Sequence, residues 1–372
     1  MKAIIVGGGI AGLSTAWFLK KRWPEIQITL LEREERLGGW IQTCRDHGIL
    51  FEKGPRTFSI GRSPELLSLI QELGLPILYS DSKAKKRFLY FQGKLRSPFL
   101  LRWIFPILKE PFVKKGSLDD ESIYDFATRR FSESMAELLF DPMTLGIYAG
   151  DAKQLSIRRS FPTLYEWEKT KGSVLLGLLF SKKRAPGLFT LKEGMESLIE
   201  ALKERLSIEI QCNTEVDHIS SHAVMSKGRC WQGDCIFDAR PPPLLKQSIW
   251  VVHLAYDQDL IRHKGYGYLV PSIEKEQVLG AIFDSCIFPS QNGGALTRIT
   301  VMLRANVIDP VLSALDAMRR HLGIERQPLF TASFFAKEAI VQLGVGADFP
   351  YGVSVESAVA KAKHWVFPTS GK

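Results

Sequence analysis

A chain of 372 residues exceeds the length at which one core usually stops growing, so two or three lobes are expected. Its 45% hydrophobic and 24% charged residues place it among ordinary globular proteins and exclude the classes defined by compositional extremes. The 49 Lys and Arg against 40 Asp and Glu leave a formal charge of +9, which favours an anionic partner (nucleic acid, an acidic bilayer or a carboxylated substrate) without choosing among them. Cys44, Cys212, Cys230, Cys235 and Cys286 are odd in number and fit neither a zinc nor a disulfide spacing, so free thiols in a reducing compartment are expected. Met1 runs straight into the strand-like KAIIV, which is no signal peptide. No run reaches the ~20 apolar residues that cross a bilayer; the nearest, Phe99–Phe112, is interrupted by Arg102, Pro106 and Lys109.

In chain order, residues 2–6 read as a buried parallel strand. Gly7-Gly8-Gly9-Ile10-Ala11-Gly12 follows as G-x-G-x-x-G, and Leu13, Ala16, Trp17, Leu19 and Lys20 then recur at helical spacing. Gln27–Leu31 is a second strand, closed by Glu32, twenty residues after Gly12. This is the dinucleotide fingerprint in its required strand–turn–helix–strand context. Gly7 permits the tight turn, Gly9 lets the backbone approach a pyrophosphate on the helix N-terminus, and Gly12 lets helix and strand pack closely. Glu32 is placed to accept hydrogen bonds from the adenosine ribose, which argues against NADP. Asp119-Asp120 followed by Ser122–Phe131 is a helix start. His47, His218, His222, His253, His263, His321 and His364 show no metal spacing, and no G-x-S-x-G elbow is present, so neither a metal nor a side-chain nucleophile is expected.

The residues after the second strand distinguish FAD from NAD. Glu32-Arg33-Glu34-Glu35-Arg36-Leu37-Gly38-Gly39-Trp40 resembles the E-x₃-R-x-G-G extension of the amine-oxidase-like flavoproteins. That resemblance implies FAD, with Arg36 at the pyrophosphate and Gly38 and Gly39 beside the ribityl chain. Within that superfamily, Phe51–Phe58 (FEKGPRTF) resembles the FE-x-GPR segment of the protoporphyrinogen oxidases. Arg87-Phe88-Leu89-Tyr90, Gly146–Leu179, Leu188–Leu206, Gly265–Pro289 and Tyr351–Val359 match in the same order, so the resemblance, to the oxygen-linked flavoprotein type, spans nearly the whole chain. Departures occur after Gln342, where the segment before the final flavin motif is shortened, and after Asp238–Pro243; Glu356-Ser357-Ala358 stands where Asn-Asp-Cys is usual.

The resemblance implies oxidation of a porphyrinogen by FAD, with O₂ or another electron acceptor reoxidising the flavin. Such a macrocycle is large and apolar with carboxylate tails, so the protein must bury the ring, aim one carbon and anchor the tails. By resemblance the substrate residues are Arg87, Gly146, Tyr266, Gly267 and Leu269, Arg87 holding a propionate in its guanidinium fork. The cofactor residues are Gly7, Gly9, Gly12, Glu32, Arg36, Gly38, Gly39, Trp40, Gly54, Pro55, Arg56, Thr57, Val216, Val353, Ser354 and Val355. Coproporphyrinogen III, with four carboxylates, is the alternative substrate, and a non-catalytic flavin- or porphyrin-binding protein is the alternative class. An amine oxidase with a Cys-linked flavin is disfavoured, because no Cys follows Cys286.

The expected architecture is α/β: a Rossmann-like FAD domain of 1–62, 187–240 and 331–372, a β-rich substrate domain of 63–90 and 241–330, and a helical lobe of 91–186. Residues 96–115 mix aromatics and Leu with Arg102, Lys109, Lys114 and Lys115, the composition of an interfacial segment on an anionic bilayer. A cytoplasmic protein, peripheral on the cytoplasmic face of the membrane, is therefore expected. RNA binding lacks any supporting motif, and the oligomeric state, a homodimer included, is left open.

Overall fold

A computed structural model describes residues 1–98, 103–116, 119–181, 185–242, 244–345 and 353–368. The nucleotide half is built on a four-stranded parallel sheet in the order Glu209–Gln211, Gln27–Leu31, Lys2–Val6, Cys235–Asp238. The central strand is buried along Ala3–Val6, as its unbroken apolar run requires. The first helix, Ile10–Arg22, and the last, Val355–Val366, pack together over this sheet. Leu13, Ala16 and Leu19 of the one share a core with Val359, Ala362 and Val366 of the other.

The second half is a seven-stranded sheet in the order Phe330–Val341, Lys246–Tyr256, Thr297–Arg304, Val278–Ile282, Gly267–Leu269, Arg87–Phe91, Lys94–Arg96. Its neighbours are antiparallel except for one parallel pair, Arg87–Phe91 with Gly267–Leu269. One face is closed by the amphipathic helix Pro310–Leu322, whose Ala314, Ala317 and Met318 pack on Val252, Leu254 and Val301. The other face looks toward the nucleotide half and the helical lobe.

The expected division of the chain needs correction at three places. Phe330–Val341 belongs to the seven-stranded sheet and not to the FAD domain, because it pairs along the length of Lys246–Tyr256. The helix Pro64–Glu72 belongs to the nucleotide half and not to the substrate domain, because Leu66, Leu69 and Ile70 enter its core. Residues 94–96, assigned to the helical lobe, form the edge strand beside Arg87–Phe91. The helix start at Ser122 is as expected: its hydroxyl caps Ile123–Arg130 by accepting from the Asp125 amide at 3.0 Å.

Candidate functional site

The glycine turn lies between the strand Lys2–Val6 and the first helix. Gly7 has φ +104°, a conformation that excludes a side chain. A Cβ on Gly12 would lie 1.9 Å from the Gly7 carbonyl oxygen, so that glycine is required by helix–strand packing alone. Gly9 differs: a Cβ there would meet no atom within 4 Å. Protein packing gives no reason for its bareness, whereas a pyrophosphate resting on the helix N-terminus does. Glu32 is 8% exposed and accepts from the Gly8 amide at 2.5 Å and the Glu34 amide at 2.9 Å, which fixes its carboxylate at the end of the second strand.

The loop 36–40 is stitched onto this turn. The Gly38 amide donates to the Gly8 carbonyl at 2.9 Å, and Gly9 and Gly38 form an isolated parallel bridge. Gly38 (φ +101°) and Gly39 (φ +57°) bring bare backbone against Gly9. Arg36 donates to the carbonyls of Leu37 (2.9 Å), Gly39 (2.5 Å) and Ile41 (3.3 Å), so its guanidinium shapes the loop from within. Trp40 is nearly half exposed. A Cβ on Gly54 would sit 1.9 Å from the Trp40 carbonyl, so the segment Gly54-Pro55-Arg56-Thr57 lies directly on the 36–40 loop. These elements fit FAD: an open space above Gly9, two glycine-lined loops around it, and a fixed carboxylate for ribose hydroxyls.

Two expected cofactor positions have other roles as well. Val216 is buried among Ile4, Val6, Leu31 and Val224, so its side chain contributes to the core. Of the C-terminal motif, Tyr351 and Gly352 lie outside the described residues. Val355 is buried in the nucleotide core, and Ser354 caps the last helix by accepting from the Ser357 amide at 3.1 Å. Glu356, marked from sequence only as a departure, accepts from the Glu65 (3.1 Å) and Leu66 (2.8 Å) amides and so caps the helix Pro64–Glu72.

The substrate residues converge on one face of the seven-stranded sheet. Register places Arg87, Gly267, Ile282, Thr300 and His253 in a single row across five strands. Leu89, Leu269, Gly280, Met302 and Val251 form the next row on the same face. Gly267 has φ +147°, and a Cβ there would lie 2.1 Å from the Ala281 carbonyl. The Arg87 guanidinium lies 5.1 Å from the Tyr266 ring centroid and keeps only a long bond of 3.3 Å to the Lys85 carbonyl. Gly146 meets this face from the helix Asp141–Tyr148; a Cβ on it would be 2.3 Å from the Leu269 side chain. Gly146 and Leu269 are thus in direct contact and form a wall, with no room for a ring between them.

Arg56 bridges the two halves. It is 13% exposed at the side chain, donates to Thr300 Oγ1 at 2.6 Å and lies 3.8 Å from Asp284. Around it are groups that pattern reading missed: Thr300, Asp284, His253 and the buried Arg298. The available signal was polar residues on one face of apolar strands, Arg298 and Thr300 in TRITVML and His253 in IWVVHLAY. Burial, reinforced by Arg56 and Arg298, holds His253 well below its ordinary range and therefore neutral. Burial pushes Glu52, three residues before Pro55, up to about 7, against the pull of the Met195 amide and the Thr43 hydroxyl. A cavity of about 820 Å³ lies beyond Leu145, lined by Asp141, Ile249, Ser272, Leu279 and Arg304. None of the expected substrate residues lines it, although Leu145 adjoins Gly146. Among the described residues no His, Cys, Asp and Glu cluster suits a metal ion.

The description "Flavin containing amine oxidoreductase" matches residues 10–240. The chain is 29% identical to human protoporphyrinogen oxidase over 92% of its own length and 88% of that protein, and 30% identical to the protein of that name from Macaca fascicularis over the same shares. It is 28% identical to coproporphyrinogen III oxidase of Bacillus subtilis, but over only 58% of its length. Among solved structures, its fold is similar to that of a protein from Exiguobacterium sp., with a TM-score of 0.82, 21% identity and 98% of each chain covered.

Proposed function

Because this chain belongs to the flavin-containing amine oxidoreductase family, we propose that it oxidises protoporphyrinogen IX to protoporphyrin IX, with FAD as cofactor and O₂ as the final acceptor. It is a flavin-dependent oxidoreductase. The observation that carries the reading is the row Arg87–Gly267–Ile282–Thr300, which joins an exposed guanidinium to the Arg56 loop across one sheet face. FAD, when bound, supplies the hydride acceptor. The glycine turn and the 36–40 loop hold its pyrophosphate and ribityl chain, and Glu32 its ribose. Arg87 anchors a propionate, while Tyr266, Gly267 and Leu269 offer the ring a flat, partly bare wall. The test is the visible spectrum of the purified protein, then porphyrin fluorescence after mixing with protoporphyrinogen IX in air. Flavin bands with porphyrin formed above the uncatalysed rate support the reading; flavin bands without turnover refute the substrate. Coproporphyrinogen III run in parallel decides between the two porphyrinogens.

The Arg87→Ala variant is expected to keep its flavin and raise KM by about 10- to 100-fold, since a hydrogen-bonded charge contributes ~1.5–3 kcal/mol. Steady-state kinetics decide it, and an unchanged KM removes Arg87 from the site.

No helix among the described residues is long and apolar enough to cross a membrane. Peripheral docking is proposed instead. Phe105, Leu108 and Phe112 are each more than 60% exposed, and so are Leu179 and Phe180 of the helix Val174–Phe180, which packs against residues 110–112. Pattern reading placed the patch at 96–115 and missed this second contribution; Phe99–Arg102 lie outside the described residues. Lys109, Lys114 and Lys115 adjoin the apolar cluster, as anionic headgroups require. The double variant Phe112→Asp/Phe180→Asp is expected to lose co-flotation with anionic vesicles while keeping its flavin; wild-type flotation would rule the patch out.

A further inference from the structure

Arg56 and Asp284 stand 3.8 Å apart, too far for a strong direct hydrogen bond. Thr300 fills the gap: its Oγ1 is 2.6 Å from Arg56, 2.7 Å from Asp284 Oδ2 and 2.9 Å from His253 Nδ1. A guanidinium can only donate and a carboxylate can only accept. The single Thr300 proton therefore goes to Asp284, one lone pair accepts from Arg56, and the second faces His253. Thr300 is fully buried, so its hydroxyl cannot exchange one of these partners for water.

Arg56 also has a like-charged neighbour. Arg298 is buried and tied to the Leu50 carbonyl and the Asn292 side chain, so it cannot withdraw. Burial and Arg56 both disfavour its charge, and Asp284 alone among the groups acting on it favours that charge. Without Asp284, two adjacent guanidiniums would repel, and Arg56, on a loop, is the one free to move.

We propose that Asp284 and Thr300 are positioning residues that hold the Arg56 guanidinium through one shared hydroxyl and so fix the segment Gly54–Thr57, whose Gly54 rests on the 36–40 loop. This rests on the reading of residues 54–57 as a flavin-binding segment. It predicts that an isosteric change on the seven-stranded sheet, outside the segment itself, alters cofactor retention. FAD release from the purified holoprotein is followed by the gain in its fluorescence on dilution, with melting temperature measured in parallel. Thr300→Val is expected to speed release about tenfold, Asp284→Asn likewise, and Thr300→Ser, which keeps the hydroxyl, to restore it to within twofold. In an Arg56→Ala background, adding Thr300→Val or Asp284→Asn is expected to change release no further, because residues acting through Arg56 have nothing left to hold. Effects that multiply across the two positions, or wild-type release in both Thr300→Val and Asp284→Asn, overturn the proposal. If Thr300→Val fails to fold, the Asp284→Asn cycle decides alone. The readout needs no substrate, so failure of the porphyrinogen reading leaves it intact, whereas a wild-type protein without flavin sinks both.

Discussion

Gly9→Leu is expected to yield a folded protein that carries no flavin. The position has φ −73°, open to any residue, and a Cβ there meets nothing within 4 Å, so neither backbone strain nor a Cβ clash opposes a side chain. The new side chain would occupy the space above the helix N-terminus where the dinucleotide pyrophosphate belongs. A loss of at least about 100-fold in FAD affinity follows, roughly 2.7 kcal/mol. Flavin absorbance per protein and far-ultraviolet circular dichroism measure the two halves of the claim. Gly12→Ala is the contrasting control: its Cβ would meet the Gly7 carbonyl oxygen, so that variant is expected to lose stability as well as flavin. Full flavin content in Gly9→Leu would mean that the cofactor is held elsewhere.

The second large effect is on the helical lobe. Arg130 and Glu110 form a fully buried ion pair. Arg130 also donates to the carbonyls of Val113 (2.8 Å) and Gly172 (2.7 Å), while Glu110 accepts from the amides of Val174 (2.8 Å) and Leu175 (3.1 Å). Glu110→Ala leaves a buried guanidinium without its close carboxylate, Glu168 being 3.6 Å away, and frees the Val174 and Leu175 amides of a helix that Ser173 still caps. Breaking one partner of such a pair costs about 3–5 kcal/mol. Glu110→Met/Arg130→Met, which removes both charges, should cost far less. Thermal melts and limited proteolysis compare them; an unchanged melt for Glu110→Ala would show that the pair contributes nothing net.

Much of the nucleotide half was legible in order along the chain, because its signals are local. A strand, three glycines, a helix and an acid all fall within residues 2–32, and each has one steric or electrostatic reason to be there. Domain borders were less legible. Phe330–Val341 reads as a strand in isolation, and nothing in it states that its partner is Lys246–Tyr256. Arg87 and Gly267 were each singled out by resemblance, yet the parallel pairing that makes them neighbours is a long-range property. The Arg56–Thr300–Asp284 node was missed for a similar reason: its members are separated by up to 244 positions and no one of them is unusual locally. Val216 shows an opposite ambiguity, since an apolar residue is compatible with both core and ligand contact, and here its side chain packs in the core.

The pairing of the first and last helices bears on how the molecule is made. During synthesis, Ile10–Arg22 leaves the ribosome early, and the part of its surface that Val355–Val366 covers stays open until that helix is made. At ~5–20 residues per second, the intervening stretch of more than 300 residues takes tens of seconds. The core of the nucleotide half is therefore incomplete as a nascent domain until Val355–Val366 has been made. For that interval the amino-terminal helix is a natural client for a chaperone, and a chain cut before Val355 would leave it so permanently.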